Sequence, residues 1–90
     1  MGDRPAEVFR PGEFIADELA SREWTHYHFA IVTGWSEVMV ANVVSGARII
    51  TAQIAKDLSA AFGTSEEYWL NLDKSYRDAL KADAAAKGEQ

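Results

Sequence analysis

The feature that most constrains this chain of 90 residues lies between residues 24 and 46, which read WTHYHFAIVTGWSEVMVANVVSG. Ala30 and Gly34 are four residues apart, and the branched residues Val40 and Val43 follow ten and thirteen positions after the alanine. Two helices that cross steeply need a small residue at their contact, and a tight turn between them needs a residue that tolerates positive φ. The spacing therefore predicts a helix, a glycine turn and a second helix, with both valines facing back into the angle.

Capping residues indicate where these two helices begin. Thr25 and Ser36 are good N-caps, because a side-chain hydroxyl can accept a hydrogen bond from a free amide of the first turn. We therefore predict helices over residues 25–33 and over Glu37–Val44. The valines of the second segment alone would favour a strand, but the cap before them and Gly46 after them favour a helix.

One further helix is predicted on each side of this segment. Residues 10–13, RPGE, open the first, because proline fits the first turn and a glutamate there favours the positive helix end. This helix is expected to end near Arg22. The other runs from its N-cap Thr51 to Phe62, with apolar residues at the three- to four-residue spacing of one helix face. Asp57 on this helix is expected to be a solvated charge.

A fifth helix is predicted after Gly63. Thr64 and Glu67 match a capping box, in which a hydroxyl and a glutamate three residues later each bond to a free amide of the first turn. Its apolar stripe is formed by every third or fourth residue: Trp69, Leu72, Tyr76 and Leu80. The three tryptophans of the chain are most simply anchors of the core or of an interface: Trp24, Trp35 and Trp69.

These elements predict an all-α fold with five short helices in one domain, residues 11–81, and the helix-turn-helix at about 25–44. Residues 1–10 are expected to form a partly ordered lead-in. Residues 82–90 have no large apolar side chain and are expected to fray. An apolar fraction of 48% supports only a modest core in a chain of this length, which favours burial at an oligomer interface.

Composition narrows the classes of function. The chain contains no cysteine, which excludes disulfides and thiolate chemistry and suits the reducing cytoplasm. No apolar run approaches the ~20 residues that span a bilayer, and we expect no secretory signal at the N-terminus. His26 and His28 would lie on roughly opposite sides of a helix, which argues against a metal site. The sequence shows no nucleophile–base pair and no phosphate-binding loop, so we expect neither an enzyme nor a cofactor.

The distribution of charge limits any role with nucleic acid. The formal net charge is −5, which is the wrong sign for a protein that coats nucleic acid without specificity. Residues 24–62 contain two basic and two acidic side chains, whereas both flanking segments are acidic. Arg48 and Lys56 are the cations of this middle segment, which is therefore neutral.

Three blocks of sequence extend the pattern beyond the helix-turn-helix: PGEFIADEL at 11–19, NVVSGARIIT at 42–51 and LSAAFGTSEEYWLNLDKSY at 58–76. With these blocks the chain resembles HigA-type antitoxins, a branch of the Xre or lambda-repressor-like helix-turn-helix family, from residue 11 to about 80. The AFGTSEEYWLNL block at 61–72 is the most distinctive part. The resemblance implies a compact homodimer that binds operator DNA, represses its own operon and neutralises a HigB-type ribonuclease toxin.

The resemblance also implies which residues meet DNA. The third helix would enter the major groove, and the start of the second helix would lie at a phosphate. The implied contact residues are Thr25, His26, Ser36, Glu37, Val38, Met39, Ala41, Asn42 and Arg48. The side-chain amide of Asn42 can make two hydrogen bonds to an adenine, at its N6 and N7 atoms. Arg48 would be the cation beside the neighbouring DNA backbone.

Two other interpretations stay open, because the outward-facing residues offer little charge. Glu37 would be repelled by phosphate, and Val38 and Met39 offer only apolar contacts. The domain is alternatively a protein-binding module whose DNA binding is weak or lost, or a prophage-type regulator without a toxin. The operator, the surface that meets a toxin and the dimer interface are not determined by the sequence.

Overall fold

The computed structural model describes the backbone of residues 9–88 and the side chains of residues 9–83, and every regular element among them is a helix. The helices are α1 Pro11–Arg22, α2 His26–Thr33, α3 Glu37–Ser45, α4 Ala52–Phe62 and α5 Glu66–Gly88. The all-α prediction is confirmed, including the helical state of the valine-rich α3. The predicted lead-in, residues 1–10, lies outside the described residues except for Phe9 and Arg10.

The helices α2, α3 and α4 begin at the N-caps that the sequence predicted. In each case a hydroxyl accepts from the amide N–H three residues further on, at 3.0 Å for Thr25, 3.1 Å for Ser36 and 3.3 Å for Thr51. The same three helices end at glycines with positive φ: Gly34, Gly46 and Gly63. These boundaries were predictable because each depends on residues within one turn of the helix end.

The start of α5 differs from its prediction by one residue. The hydroxyl that accepts from the first turn belongs to Ser65, which is bonded to the amide N–H of Tyr68 at 3.1 Å. The predicted capping box of Thr64 and Glu67 is therefore wrong. Thr64 instead accepts a hydrogen bond from the indole Nε1 of Trp69 at 2.6 Å, so its hydroxyl satisfies a buried tryptophan donor. Sequence spacing alone does not distinguish these two roles.

The other end of α5 lies in the segment that the composition predicted to fray. The helix continues to Gly88, and the fraying of residues 82–90 stays a prediction. Residues 82–88 read ADAAAKG, and alanine has the highest helix propensity, so a helix can continue there without an apolar stripe. Residues 89 and 90 lie outside the described residues.

The core joins all five helices through twelve buried apolar side chains. Phe62 links several of its aromatic rings: it stacks on Phe29 with centroids 5.3 Å apart and contacts Trp69 at 5.9 Å and Trp24 at 6.1 Å. Trp69 is fully buried, while Trp24 and Trp35 are partly buried against the cluster. The prediction that the tryptophans anchor the core is confirmed, and Phe62 of α4 joins the rings of α2 and α5.

The backbones of α1 and α3 approach each other closely at Gly12. A Cβ atom built on Gly12 would lie 1.7 Å from the carbonyl oxygen of Val44. No side chain fits in that space, so the glycine of the PGE sequence allows α1 to lie against the last turn of α3. This contact holds α1 close against α3.

Two kinds of feature are absent from the described part of the chain. None of its helices is long and apolar enough to cross a membrane. The side chains of its His, Asp and Glu residues nowhere form a group of three that could hold a metal ion.

Candidate nucleic-acid interface

The inner residues of the helix-turn-helix pack as the sequence predicted. Ala30 of α2 and Val40 and Val43 of α3 are buried, with exposed fractions of 6%, 0% and 1%. Gly34 ends α2 at a φ of 79°, and its amide donates to the carbonyl of Ala30 at 2.8 Å. A non-glycine residue is strained at that φ, so the turn depends on the glycine.

The opposite side of α3 is open to solvent. The side chains exposed along it are those of Glu37, Val38, Ala41 and Asn42, with the N-cap Ser36 before them. Val38 is 70% exposed, although the fold gains nothing from an apolar residue there. These five members of the predicted contact set therefore share one accessible surface, which we call the outer face of α3.

Met39 differs from its neighbours on α3. Its side chain is half-buried and packs against the core. The sequence prediction placed it at the edge of the groove, and the structure gives it a packing contact that the exposed residues lack. Its backbone N–H is already occupied by the hydroxyl of Ser36.

The start of α2 presents two further members of the predicted set, Thr25 and His26, both exposed. The Oγ1 atom of Thr25 accepts from the amide of His28, which leaves its own O–H proton available as a donor. The ring of His28 stacks on Trp24 with centroids 5.0 Å apart. Trp24 also lies against the core, so the first turn of α2 is held in place by an aromatic contact.

The turn between α2 and α3 is held by α4. The indole Nε1 of Trp35 donates to the carboxylate of Asp57 at 2.9 Å, and its ring meets Phe29 edge-on at 5.5 Å. The expectation that Asp57 is an ordinary solvated charge is wrong, because this half-buried carboxylate also accepts from Gln53 at 3.0 Å. The indole that needs it is 22 positions away, so local spacing gave no signal for the pair.

Arg48, the predicted phosphate contact, is exposed in the connection between α3 and α4. Its amide N–H donates to the carbonyl of Asn42 at 3.1 Å, and its own carbonyl accepts from the Nη2 of Arg77 at 3.0 Å. Two residues later, the amide of Ile50 donates to the carboxylate of Asp73 at 3.3 Å. The structure thus brings Arg48 beside the outer face of α3 through its bond to Asn42.

Sequence reasoning missed Asp73 and Arg77. Asp73 is the buried charged residue of the described side chains, with 4% of its surface exposed. Its Oδ1 accepts from the Nε of Arg77 at 3.2 Å. An Asp and an Arg four residues apart on a helix are common as a surface pair, so the spacing gave only a weak signal. The contacts with residues 48 and 50 depend on tertiary packing.

The charge around the outer face of α3 is uneven. Glu37 is exposed at the N-terminal end, whereas arginines lie near the C-terminal end. Besides Arg48, the side chain of Arg10 passes close to Gly46: a Cβ there would lie 3.1 Å from the Cδ of Arg10. Positive charge is therefore available where α3 ends, although the middle segment of the sequence is neutral overall.

These contacts define the molecule as a five-helix domain with a helix-turn-helix whose outer face is accessible. No family model matches the chain, and no curated protein sequence matches it. Several solved structures, however, match the chain. An addiction-module antidote protein of the HigA family from Coxiella burnetii is 31% identical, with 92% of this chain and 91% of that chain covered at a TM-score of 0.83.

Two structures from Pseudomonas aeruginosa were solved with DNA. The antitoxin HigA with the higBA promoter is 29% identical to this chain, with 93% of this chain and 92% of that chain covered at a TM-score of 0.83. A protein in complex with its 18-bp operator DNA is 32% identical, with 92% and 87% covered at a TM-score of 0.78. The chain belongs to the HigA family of antitoxins.

Proposed function

We propose that this protein is the antitoxin of a HigB/HigA-type toxin–antitoxin module and that, as a homodimer, it represses its own operon by binding operator DNA. The observation that supports this most directly is the exposed outer face of α3 next to Arg48, on a fold shared with structures solved with promoter and operator DNA. It acts by binding and not by catalysis, and it works in the cytoplasm.

In this proposal α3 enters the major groove with its outer face against the base edges. Asn42 reads adenine through its N6 and N7 atoms, a pair worth about 1–3 kcal/mol of discrimination. Val38 and Ala41 contact thymine methyl groups, and Ser36 and Glu37 lie at the first base pairs. A carboxylate such as that of Glu37 suits a cytosine amino group, which is a donor.

Phosphate contacts come from the two ends of the helix-turn-helix. Thr25 donates its free O–H, and His26 adds a ring nitrogen at the positive end of α2. Arg48 supplies a full charge at the neighbouring backbone, and Met39 lies at the rim of the groove. Few cations are involved, so the logarithm of the binding constant should fall with the logarithm of salt concentration by only about 0.9 per phosphate neutralised.

The second partner is a HigB-type toxin, a ribonuclease that the antitoxin neutralises. This part of the proposal is supported by family membership and by the acidic balance of the chain, since proteins that bind RNA are commonly basic. Its test is co-expression with the toxin gene of the same operon. Restored growth and a purified complex of the two chains are the expected results. A toxin that remains lethal in the presence of this chain would contradict it.

The DNA-binding part is tested by footprinting and by salt-titrated binding to the region upstream of its own gene. We expect protection of one palindrome with a dissociation constant in the nanomolar range, on the order of other specific repressors. The Arg48→Ala variant should weaken binding to all sequences alike and make the salt slope shallower by about 0.9 for each protomer.

Lys74→Ala is the matched control for that variant, because it also removes one exposed cation, here from a pair with Asp78 on α5. It should leave the salt slope unchanged. A wild-type protein without a specific shift at about 50 mM salt, where phosphate contacts are strong, would rule out repression. That result would favour the alternative, a protein-binding module that keeps the fold and has lost DNA binding.

A further inference from the structure

We propose that Asp73 and Arg77 of α5 are positioning residues for DNA binding, which hold the connection between α3 and α4 so that Arg48 meets the DNA backbone. This inference rests on the proposed operator binding. Neither side chain lies on the outer face of α3. Both act through the backbone that follows the Arg48 Cα atom, at the carbonyl of Arg48 and the amide of Ile50.

Burial makes the carboxylate of Asp73 depend on its hydrogen-bond partners. A carboxylate that is 4% exposed has lost almost all its water, and such a group is stable in a protein only when hydrogen bonds or opposite charge replace it. Its two oxygens accept from two different elements, Oδ1 from Arg77 on α5 and Oδ2 from the amide of Ile50 in the connection. The side chain therefore joins the connection to α5.

The guanidinium of Arg77 bonds two groups at once. Its Nε pairs with Asp73, while its Nη2 donates to the carbonyl of Arg48 at 3.0 Å. A guanidinium is planar and rigid, so the carboxylate that fixes one edge also fixes the direction of the other nitrogen. The Asp73–Arg77 pair thus holds two backbone groups of the connection, one at residue 48 and one at residue 50.

The backbone of Arg48 is also bonded to α3. The amide of Arg48 donates to the carbonyl of Asn42, so the peptide groups on both sides of Arg48 are bonded, one to α3 and one to α5. The arginine side chain therefore starts from a Cα atom with a fixed position relative to Asn42, the proposed base-reading residue. Without this arrangement, the connection would lose backbone freedom on binding DNA, which weakens affinity.

A second arginine in the molecule makes a closely similar set of bonds away from Arg48. The Nη1 of Arg22 pairs with Glu18 at 3.0 Å, and its Nη2 donates to the carbonyl of Phe62 at 3.0 Å. It too bonds a carboxylate four residues away and a backbone carbonyl of another element. Arg22 holds the end of α4, and its Cζ also lies 5.6 Å from the centroid of the Trp24 ring. Glu18→Gln keeps that ring contact, so this variant reports what weakening of such a pair does to folding.

The test uses Asp73→Asn and Arg77→Met in the full-length protein, with Glu18→Gln as the matched control. Asp73→Asn removes a negative charge, so charge alone predicts equal or tighter DNA binding. Positioning predicts the opposite: operator binding about tenfold weaker, the scale of one residue's backbone freedom, with a shallower salt slope. The control should lower thermal stability and leave the operator affinity and salt slope unchanged.

Double variants distinguish positioning from a separate contact. In the Arg48→Ala background, neither Asp73→Asn nor Arg77→Met should weaken binding further, because the residue they position is gone. Amide hydrogen exchange in the DNA-free protein adds a readout independent of DNA. The amides of Arg48 and Ile50 should exchange faster in Asp73→Asn, and the far-UV spectrum should stay helical.

The outcomes separate this inference from the proposed function. If the wild-type protein binds its operator while Asp73→Asn binds as tightly with the same salt slope, the positioning role is overturned and repression stands. Losses that add fully to that of Arg48→Ala would also overturn it. If the wild-type protein has no specific site, the proposed repression fails first, and the inference fails with it. Should Asp73→Asn not fold, Arg77→Met decides the question alone, since its side chain is only half-buried.

Discussion

The two faces of α3 contain the same residue type in opposite environments. Val40 and Val43 on the inner face are 0% and 1% exposed, whereas Val38 on the outer face is 70% exposed. The inner valines fill the angle between α2 and α3 and are required by the fold. The outer valine makes no comparable contribution, so its face is available to a partner. Substitutions on the two faces should therefore change different measurements.

The largest effect on stability is expected for Gly12→Ala, at the place where α1 packs against α3. The added methyl group would lie 1.7 Å from the carbonyl oxygen of Val44, so α1 and α3 must separate. Overpacking usually costs about 1–3 kcal/mol and more when the backbone must move, which outweighs the gain of roughly 1 kcal/mol in helix propensity. We expect at least about 3 kcal/mol of lost stability, measured by urea unfolding.

Gly34→Ala is the control for that variant. Its φ of 79° is strained for alanine, but no atom lies within 4 Å of the added Cβ. The strain alone should lower stability by about 1–2 kcal/mol. If Gly34→Ala proved more damaging than Gly12→Ala, the close approach of α1 to α3 would not be the tighter of the two constraints.

The next largest effect on stability is expected for a valine-to-alanine substitution, which can be made on both faces of α3. Val40→Ala removes two buried carbon atoms and leaves a cavity, which should lower the free energy of unfolding by roughly 2–3 kcal/mol. Val38→Ala removes the same atoms from an exposed position, and such changes usually stay within about 0.5 kcal/mol. Thermal unfolding of the two variants at one protein concentration measures the difference. Equal losses of stability would show that the outer face is packed in solution, for example in the dimer.

The smallest effect on folding, and the sharpest on recognition, is expected for Asn42→Ala. Its side chain is exposed, so stability should change by less than about 0.5 kcal/mol. Loss of the adenine pair should reduce discrimination at one base pair by about 1–3 kcal/mol. Binding to a set of operator variants, each with one altered base pair, measures this. Uniform weakening across that set would place Asn42 at the DNA backbone instead of a base.

The predictions from sequence succeeded where the interaction is local. The caps Thr25, Ser36 and Thr51 act within one turn, and a glycine C-cap requires only its own φ, so pattern and position suffice. The start of α5 was misplaced because Thr64 and Ser65 are both able to cap, and the choice depends on which hydroxyl the indole of Trp69 reaches. That is a tertiary contact, although it spans only five residues.

The sequence by itself determined the helices, the inner residues of the helix-turn-helix and the set of side chains that lie near its outer face. Only the tertiary structure decided how that set is held. The carboxylates of Asp57 and Asp73 are bonded to groups more than twenty residues away, and Gly12 is needed because α3 passes over it. Local propensity acts over one turn of chain. The position of Arg48 depends on hydrogen bonds that form only after α3 and α5 have packed on the same core.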